Sequence, residues 1–256
     1  MKTAESEPTK RFTSRVANYV TYRPKYPAEV VEFMRGELGL SRASVIADVG
    51  AGTGILTEMF LRGGNTVFAV EPNEAMRAAA EETLGEFPNF RSVDGTAEAT
   101  TLEDASVDFI TAAQAFHWFD VDGARREFSR ILKPGGWVAL IWNMRKVDTT
   151  PFLRELEQIL RTYGTDYARV AAQSAHEETI RNFFASGFEV KRFKNYQVFD
   201  YEGLRGRVLS ASYVPLEGQE NYESMLAALS RAFDAHNDGG AVTFDYDTEI
   251  YYGQPG

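Results

Sequence analysis

The apolar run Val45-Ile46-Ala47-Asp48-Val49 passes directly into Gly50-Ala51-Gly52-Thr53-Gly54, and no other junction in the chain restricts its fold as tightly. Glycines at alternate positions remove Cβ atoms from a bend, so the backbone can take positive-φ geometry and a ligand can lie against the main chain. This is the pattern of a strand entering a nucleotide-binding turn. Two cofactor classes use such a turn. Dinucleotide folds space their glycines G-x-G-x-x-G and hold a pyrophosphate at the start of the next helix. Here the spacing is G-x-G-x-G, and Ile55 stands where the third dinucleotide glycine would fall. A carboxylate at Asp48 would repel a pyrophosphate but attract an ammonium group. The ligand suggested is a nucleoside with an amino-acid tail.

Composition limits the partners. The 256 residues are 44% hydrophobic, enough to bury one large core, and 27 Lys+Arg against 37 Asp+Glu leave a net charge of −10. That balance disfavours nucleic acid or an anionic membrane as partner. With no cysteine, disulfides, thiolate metal sites and a cysteine nucleophile are excluded. His117, His176 and His236 lie too far apart in sequence to suggest a metal site, so no metal is expected. Residues 1–10 have no apolar core of the signal-peptide kind and no apolar run reaches membrane-spanning length, so a soluble, cytoplasmic protein is the expectation. The oligomeric state has no signal in the sequence.

Strand-like and helix-like segments alternate from Val45 to Trp142, the rhythm of βαβ units with a parallel sheet covered on both faces. Strands are expected at 45–49, 66–70, 90–93, 107–113 and 137–142. The helices between them fall at 56–62, 73–84 and 121–132, the second opened by Asn73 as N-cap and the last stopped by Lys133-Pro134-Gly135-Gly136. Beyond Trp142 the periodicity gives two amphipathic helices, 151–163 and 177–185, read as a cap over the carboxyl edge of the sheet. Alternating runs at 188–199 and 241–252, with a helix at 224–236 between them, would complete the sheet. The expected division is a single domain: an amino-terminal lid (1–40), a cofactor-binding core (41–142), a helical cap (143–186) and a sheet-completing part (187–256).

Open parallel sheets bind ligands beyond the carboxyl ends of their strands. Glu71 and Pro72 follow the second strand, where a carboxylate can accept both ribose hydroxyls of a nucleoside, though it cannot choose which one. Asp94-Gly95-Thr96-Ala97-Glu98 follows the third. The fourth runs into Gln114-Ala115-Phe116-His117-Trp118-Phe119, an aromatic density that loops avoid unless they line a site or lid. Gln114 and Ala115 are expected to face the cofactor, with Phe116, His117 and Trp118 toward an acceptor. A histidine titrates near neutrality and is the candidate base, with a structural, hydrogen-bonded histidine the alternative. Met76 is a candidate apolar wall for a purine, or simply core.

The turn Asp48, Gly50, Ala51, Gly52, Gly54 resembles motif I of the class I S-adenosylmethionine-dependent methyltransferases, where it holds the methionine part of the cofactor. Thr96 and Ala97 sit in a segment similar to the family's G-D-A-E adenine-binding stretch, with Thr96 replacing the usual Asp. Leu132-Lys133-Pro134-Gly135-Gly136 is similar to the superfamily's L-K-P-G-G turn. The entry segment Tyr19-Val20-Thr21-Tyr22-Arg23-Pro24-Lys25-Tyr26-Pro27 looks like that of a methyltransferase type 11 group that includes trans-aconitate methyltransferase relatives.

The resemblance implies a doubly wound, mostly parallel, seven-stranded Rossmann-like sheet in three layers. It also implies a last strand antiparallel beside the fifth, and S-adenosyl-L-methionine as cofactor. The function expected is methyl transfer to the O, N or C atom of a small-molecule acceptor, with a carboxylic acid among the candidates. Tyr22 and Arg23 would join His117 and Trp118 at the acceptor, and Arg23, Arg145 or Arg205 would pair with an acceptor carboxylate. A non-catalytic S-adenosylmethionine-binding or regulatory protein is the alternative. A nucleic-acid methyltransferase and an NAD-linked oxidoreductase are further rivals.

Overall fold

A computed structural model describes residues 21–167 and 177–255. Arg11, Phe12, Tyr19, Val20 and His176 lie outside the described residues. After a first helix, α1 (Glu29–Glu37), the chain alternates β1 (Val45–Val49), α2 (Ile55–Arg62), β2 (Thr66–Val70), α3 (Glu74–Leu84) and β3 (Phe90–Val93). Then follow β4 (Val107–Ala113), α4 (Val121–Ile131), β5 (Leu132–Arg145), α5 (Pro151–Tyr163), α6 (Glu177–Phe183) and β6 (Phe188–Phe199). The chain ends with α7 (Tyr201–Leu209), α8 (Tyr222–His236) and β7 (Val242–Gly253).

Among the described residues the strands form one seven-stranded sheet in the order β3-β2-β1-β4-β5-β7-β6. β1 through β5 pair in parallel, and β7 runs antiparallel between β5 and β6. This is the doubly wound fold and the antiparallel insertion that the resemblance implied. Strand order reverses at β1 and β4, where such sheets open a ligand crevice.

Helix starts follow from side-chain caps. Asn73 Oδ1 accepts from Met76 N at 3.0 Å, Asp120 from Gly123 N at 3.1 Å and Asp200 from Gly203 N at 2.8 Å. Thr150 Oγ1 accepts from Leu153 N at 3.1 Å, with Pro151 in the first turn. Each satisfies an N–H that the helix itself cannot pair.

Three expectations need correction. Lys133-Pro134-Gly135-Gly136 does not stop α4 from outside the sheet. Strand β5 already starts at Leu132, and the four residues form an irregularity within it, Leu132 pairing with Val107 and Trp137 with Phe109. The strand also runs beyond Trp142, because Asn143 to Arg145 pair with Thr248 to Tyr246 of β7. Ladder bonds need backbone groups only, so loss of apolar side chains at Asn143 did not end it.

The two helices expected to form one cap belong to different clusters. Helix α5 packs with α7, α8 and β7 through Leu156, Leu160, Leu229 and Phe244. The Phe183 ring of α6 lies 5.1 Å from Phe116 and 5.7 Å from Phe128 of α4. Helix α7 was missed because it lacks a clear apolar stripe.

Buried Glu127 of α4 ties the loop before β4 to its helix. Its carboxylate accepts from Thr100 N at 2.8 Å and from Arg130 at 2.6 and 2.8 Å. The Arg130 guanidinium foremost, helped by Thr100 and opposed by burial, holds the Glu127 carboxyl down at about 2. The folded value lies below the unfolded one, so this contribution is complete above about pH 4.5 and disappears as pH falls toward 2. Because Arg130 is 37% exposed, it is discounted to about 2 kcal/mol. Urea unfolding of Glu127→Gln is expected to show a deficit of about that size at pH 7 and only about a quarter of it near pH 2.5. A constant deficit across that range would contradict the assignment.

Candidate functional site

The turns that follow β1, β2 and β4 converge at the crevice. Gly50 has φ +70°, and its N–H and that of Ala51 bond Val70 O at 2.8 and 3.1 Å, seating the turn on the end of β2. A Cβ at Gly50 would lie 2.5 Å from Ala115 Cβ in the turn after β4, so only glycine permits the two turns to meet. Gly52 N donates to Glu71 Oε2 at 2.9 Å, and Asn73 N to Glu71 Oε1 at 2.9 Å. Burial raises the Glu71 carboxyl above its ordinary value, against these two bonds. Gly54 differs from the other two glycines. It caps α2 with φ +84°, and a side chain there would strike Leu84; its role is packing.

A cavity of about 200 Å³ opens above this junction. Gly50, Gly52, Glu71 and Pro72 form one side, and Met76, Thr96 and Ala97 form the next. Gln114, Ala115, Trp118 and Phe119 close it from the turn after β4. A smaller hollow bounded by Asp48, Gly50, Ala51 and Tyr26 adjoins it.

Most of the expected cofactor positions are thus assembled in one place from four separate loops. The residues fit an adenosyl group with an amino-acid tail: a carboxylate at the end of β2 suits a ribose, Met76 and Phe119 suit a purine face, and the side-chain-free turn admits close approach. Glu98 also lines this cavity and accepts from Asp120 N at 2.8 Å. Its only sequence cue was its place in the Asp94–Glu98 segment. Asp94, at the head of that segment, is 73% exposed, pairs with Arg77 at 3.2 Å and does not line the cavity.

Asp48 is placed differently from a carboxylate simply waiting for an ammonium group. It is 1% exposed and accepts from Thr57 Oγ1 at 2.6 Å and Thr111 Oγ1 at 2.8 Å. Thr111 is its register partner across β1 and β4. Burial raises its carboxyl, and the threonine bonds act against that rise. It braces the turn from beneath while its residue borders the smaller hollow.

A second cavity, of about 340 Å³, meets the first across Gln114 and Trp118. Gln114 holds φ +56°, an uncommon conformation for a residue with a side chain. Its N–H bonds Ile141 O at 2.8 Å and its Nε2 donates to Asn143 O at 3.2 Å. His117, Trp118 and Arg23 line the second cavity as expected. Arg145 does too, but Arg205 does not: it is half-buried beside Glu202, at 3.9 Å.

Arg207, two residues on, faces the cavity, since successive helix positions point in different directions. Phe116 is buried in the core against Phe119, Trp142 and Phe183 rather than in the cavity wall. Tyr22 packs on Gly206 of α7, and Tyr26 takes the place at the wall.

Glu157, Arg161, Tyr167 and Tyr213 complete the wall and were not anticipated. Glu157 and Arg161 are spaced i,i+4 on an amphipathic helix, a pattern that ordinarily reads as a solvated pair. The segment around Pro24 crosses the cavity as a strap. Asn195 Nδ2 donates to Lys25 O at 2.8 Å, Gln197 Nε2 to Tyr22 O at 3.2 Å and Arg23 Nη2 to Ser210 O at 3.0 Å. Among the described residues no group of three His, Asp or Glu side chains is arranged to hold a metal ion, and no helix is long and apolar enough to cross a membrane.

A model of the methyltransferase domain matches residues 47–140. An uncharacterized methyltransferase of Schizosaccharomyces pombe is 30% identical over 247 residues, spanning 94% of this chain and 95% of that protein. Another from Mycobacterium tuberculosis is 37% identical over 157 residues, 60% of each chain. Among solved structures, one provisionally assigned as a type II methyltransferase from Anaeromyxobacter dehalogenans superposes with TM-score 0.67 at 22% identity, covering 91% of this chain and 98% of that one. One provisionally assigned as an S-adenosyl-L-methionine-dependent methyltransferase from Methanococcus maripaludis gives 0.55 at 21% identity, covering 71% and 89%. The structural likenesses show the shared fold, and the yeast relative extends the match through nearly the whole chain. The chain therefore belongs to the class I S-adenosyl-L-methionine-dependent methyltransferases of the type 11 group, and S-adenosyl-L-methionine is its cofactor.

Proposed function

We propose that this methyltransferase acts on a small acceptor that carries an acidic group and occupies the larger cavity. One observation carries the reading: in a chain of net charge −10, that cavity is walled, among the described residues, by Arg23, Arg145, Arg161 and Arg207 and by one carboxylate, Glu157. Clefts lined by one sign of charge concentrate ligands of the other sign. Guanidinium groups also match carboxylates in shape. The resemblance of the entry segment to acid-methylating relatives points the same way.

The bound cofactor supplies the methyl group and, through its sulfonium, a good leaving group. The protein's part is alignment and exclusion of water. We assign the ribose to Glu71, the adenine to Pro72, Met76, Thr96 and Ala97, and the amino-acid tail to Asp48, Gly50, Ala51 and Gly52. Gln114, Ala115 and Trp118 stand between the cofactor and the acceptor.

His117 faces the acceptor and takes the proton from one that arrives as a hydroxyl or amine. An acceptor that arrives as a carboxylate has none to lose. For a carboxylate, Arg23, Arg145 and Arg207 would hold the anion while Trp118 and Tyr26 shield the reacting oxygen from water.

Incubating the protein with S-adenosylmethionine and a panel of small carboxylic acids, amines and phenols, and following release of S-adenosylhomocysteine, is expected to show turnover with acids foremost. Turnover confined to amines or neutral acceptors would refute the acidic-acceptor reading. Glu71→Ala is expected to weaken S-adenosylhomocysteine binding in calorimetry by about tenfold or more, the size of lost hydrogen bonds to a charged group. His117→Asn is expected to leave kcat for a carboxylate within about threefold and to lower it about a hundredfold for a phenol or amine, the usual reach of a positioned base.

A further inference from the structure

Arg145 stands at the end of β5, yet its terminal nitrogens are treated unequally. Nη2 donates to Glu157 Oε2 at 2.7 Å and to the Tyr167 hydroxyl oxygen at 2.9 Å. The Tyr167 hydroxyl closes the triangle by donating to the same Glu157 Oε2 at 2.5 Å. Nη1 is buried and has no hydrogen-bond partner among the described residues. The Arg145 and Glu157 side chains are only 11% and 12% exposed, so water does not dilute these bonds. An enclosed guanidinium N–H without an acceptor is unfavourable, and an anionic oxygen beside it would satisfy it.

Glu157 itself is strongly engaged. Arg161 Nε donates to its other oxygen at 2.8 Å, giving the carboxylate three donors. Burial alone would raise its carboxyl, but the bonds from Tyr167 and Arg145 and the charges of Arg145 and Arg161 outweigh burial and hold it below its ordinary value. An ionised carboxylate already engaged in this way is poorly placed to remove a proton or to bind a cationic acceptor. Its available role is to hold what surrounds it. Arg23 and Arg207 are anchored separately, through Ser210 O and the Tyr246 hydroxyl.

We infer that Glu157 and Tyr167 are positioning residues, which pin Arg145 by one nitrogen so that its other nitrogen meets the anionic group of the acceptor. This rests on reading the larger cavity as the acceptor site. Glu157 has a second effect. Lying between Arg145 and Arg161, it offsets one of their two charges, so the cavity attracts an anion without holding it indiscriminately.

Two variants separate charge from placement. Glu157→Gln keeps the shape and removes the charge, whereas Glu157→Asp keeps the charge and shortens the reach by one methylene. Sulfate is the probe, titrated by calorimetry into the protein loaded with S-adenosylhomocysteine at constant ionic strength. Kinetics use the best acid from the acceptor panel.

Glu157→Gln is expected to bind sulfate about threefold to tenfold more tightly while kcat falls about tenfold. Glu157→Asp is expected to keep sulfate affinity within about twofold and also lose about tenfold in kcat. Tyr167→Phe should lower kcat about threefold with S-adenosylhomocysteine affinity unchanged. The inference is overturned if wild-type protein binds no sulfate, if both Glu157 variants retain kcat within twofold, or if cofactor affinity falls in step with kcat. Arg145→Gln distinguishes the two levels of failure. If it leaves kcat/KM for the acid unchanged, the acceptor-site reading fails; if it lowers kcat/KM and the Glu157 variants do not, positioning alone fails.

Discussion

The close approach of the turn after β1 to the turn after β4 is the constraint from which the site is built. Gly50 can sit against Ala115 only because it has no side chain, and its positive φ aims the following backbone toward Glu71. Two strands adjacent in the sheet thus deliver loops that touch, and the first cavity lies where they do. Glu71 is fixed beside this junction, its oxygens accepting from the backbone N–H groups of Gly52 and Asn73. Such preorganisation limits the ordering cost of binding.

Asp48 shows how one residue can answer to two demands. Its place beside the glycines suggested a direct partner for an ammonium group, yet Thr57 and Thr111 claim both of its oxygens beneath the turn. A buried carboxylate must be hydrogen-bonded or neutral. Here the two threonines supply the bonds, and the same bonds lock α2 and β4 to β1. Mutating Asp48 would therefore disturb the frame of the turn as well as anything bound upon it.

The electrostatic design sets the second cavity against the rest of the molecule. The chain carries a net charge of −10, while guanidinium groups drawn from the entry segment, β5, α5 and α7 converge on a single space. None of these elements carries a positive stripe of its own. The strap at Tyr22 to Tyr26 is tied to β5 and β6 through Asn143, Asn195 and Gln197, so the wall that contains Arg23 depends on the antiparallel end of the sheet. The two cavities meet at Gln114 and Trp118, which line both.

The amino-acid order alone determined the parallel half of the fold and which strand-end residues gather around the first cavity. Local periodicity places β1 to β4, the cap at Asn73 places a helix start, and loops at the carboxyl ends of open sheets converge, so the meeting of Glu71, Thr96 and Gln114 was legible from position. The wall of the larger cavity was legible only in part: Arg23, Arg145, His117 and Trp118 were anticipated, whereas Glu157, Arg161, Arg207, Tyr167 and Tyr213 come from segments far apart in sequence and without a shared motif. Arg205 and Arg207 are chemically equivalent in the sequence, and only the rotation of α7 turns one away from the cavity and the other toward it. Phe116 and Tyr22 look like site residues for their aromatic character, but packing against Phe183 and Gly206 uses them elsewhere. Glu157 reads as half of a surface pair until β5, extended by its ladder with β7, brings Arg145 to it. Which charges face one another across a cavity is a property of long-range packing, and no local pattern encodes it.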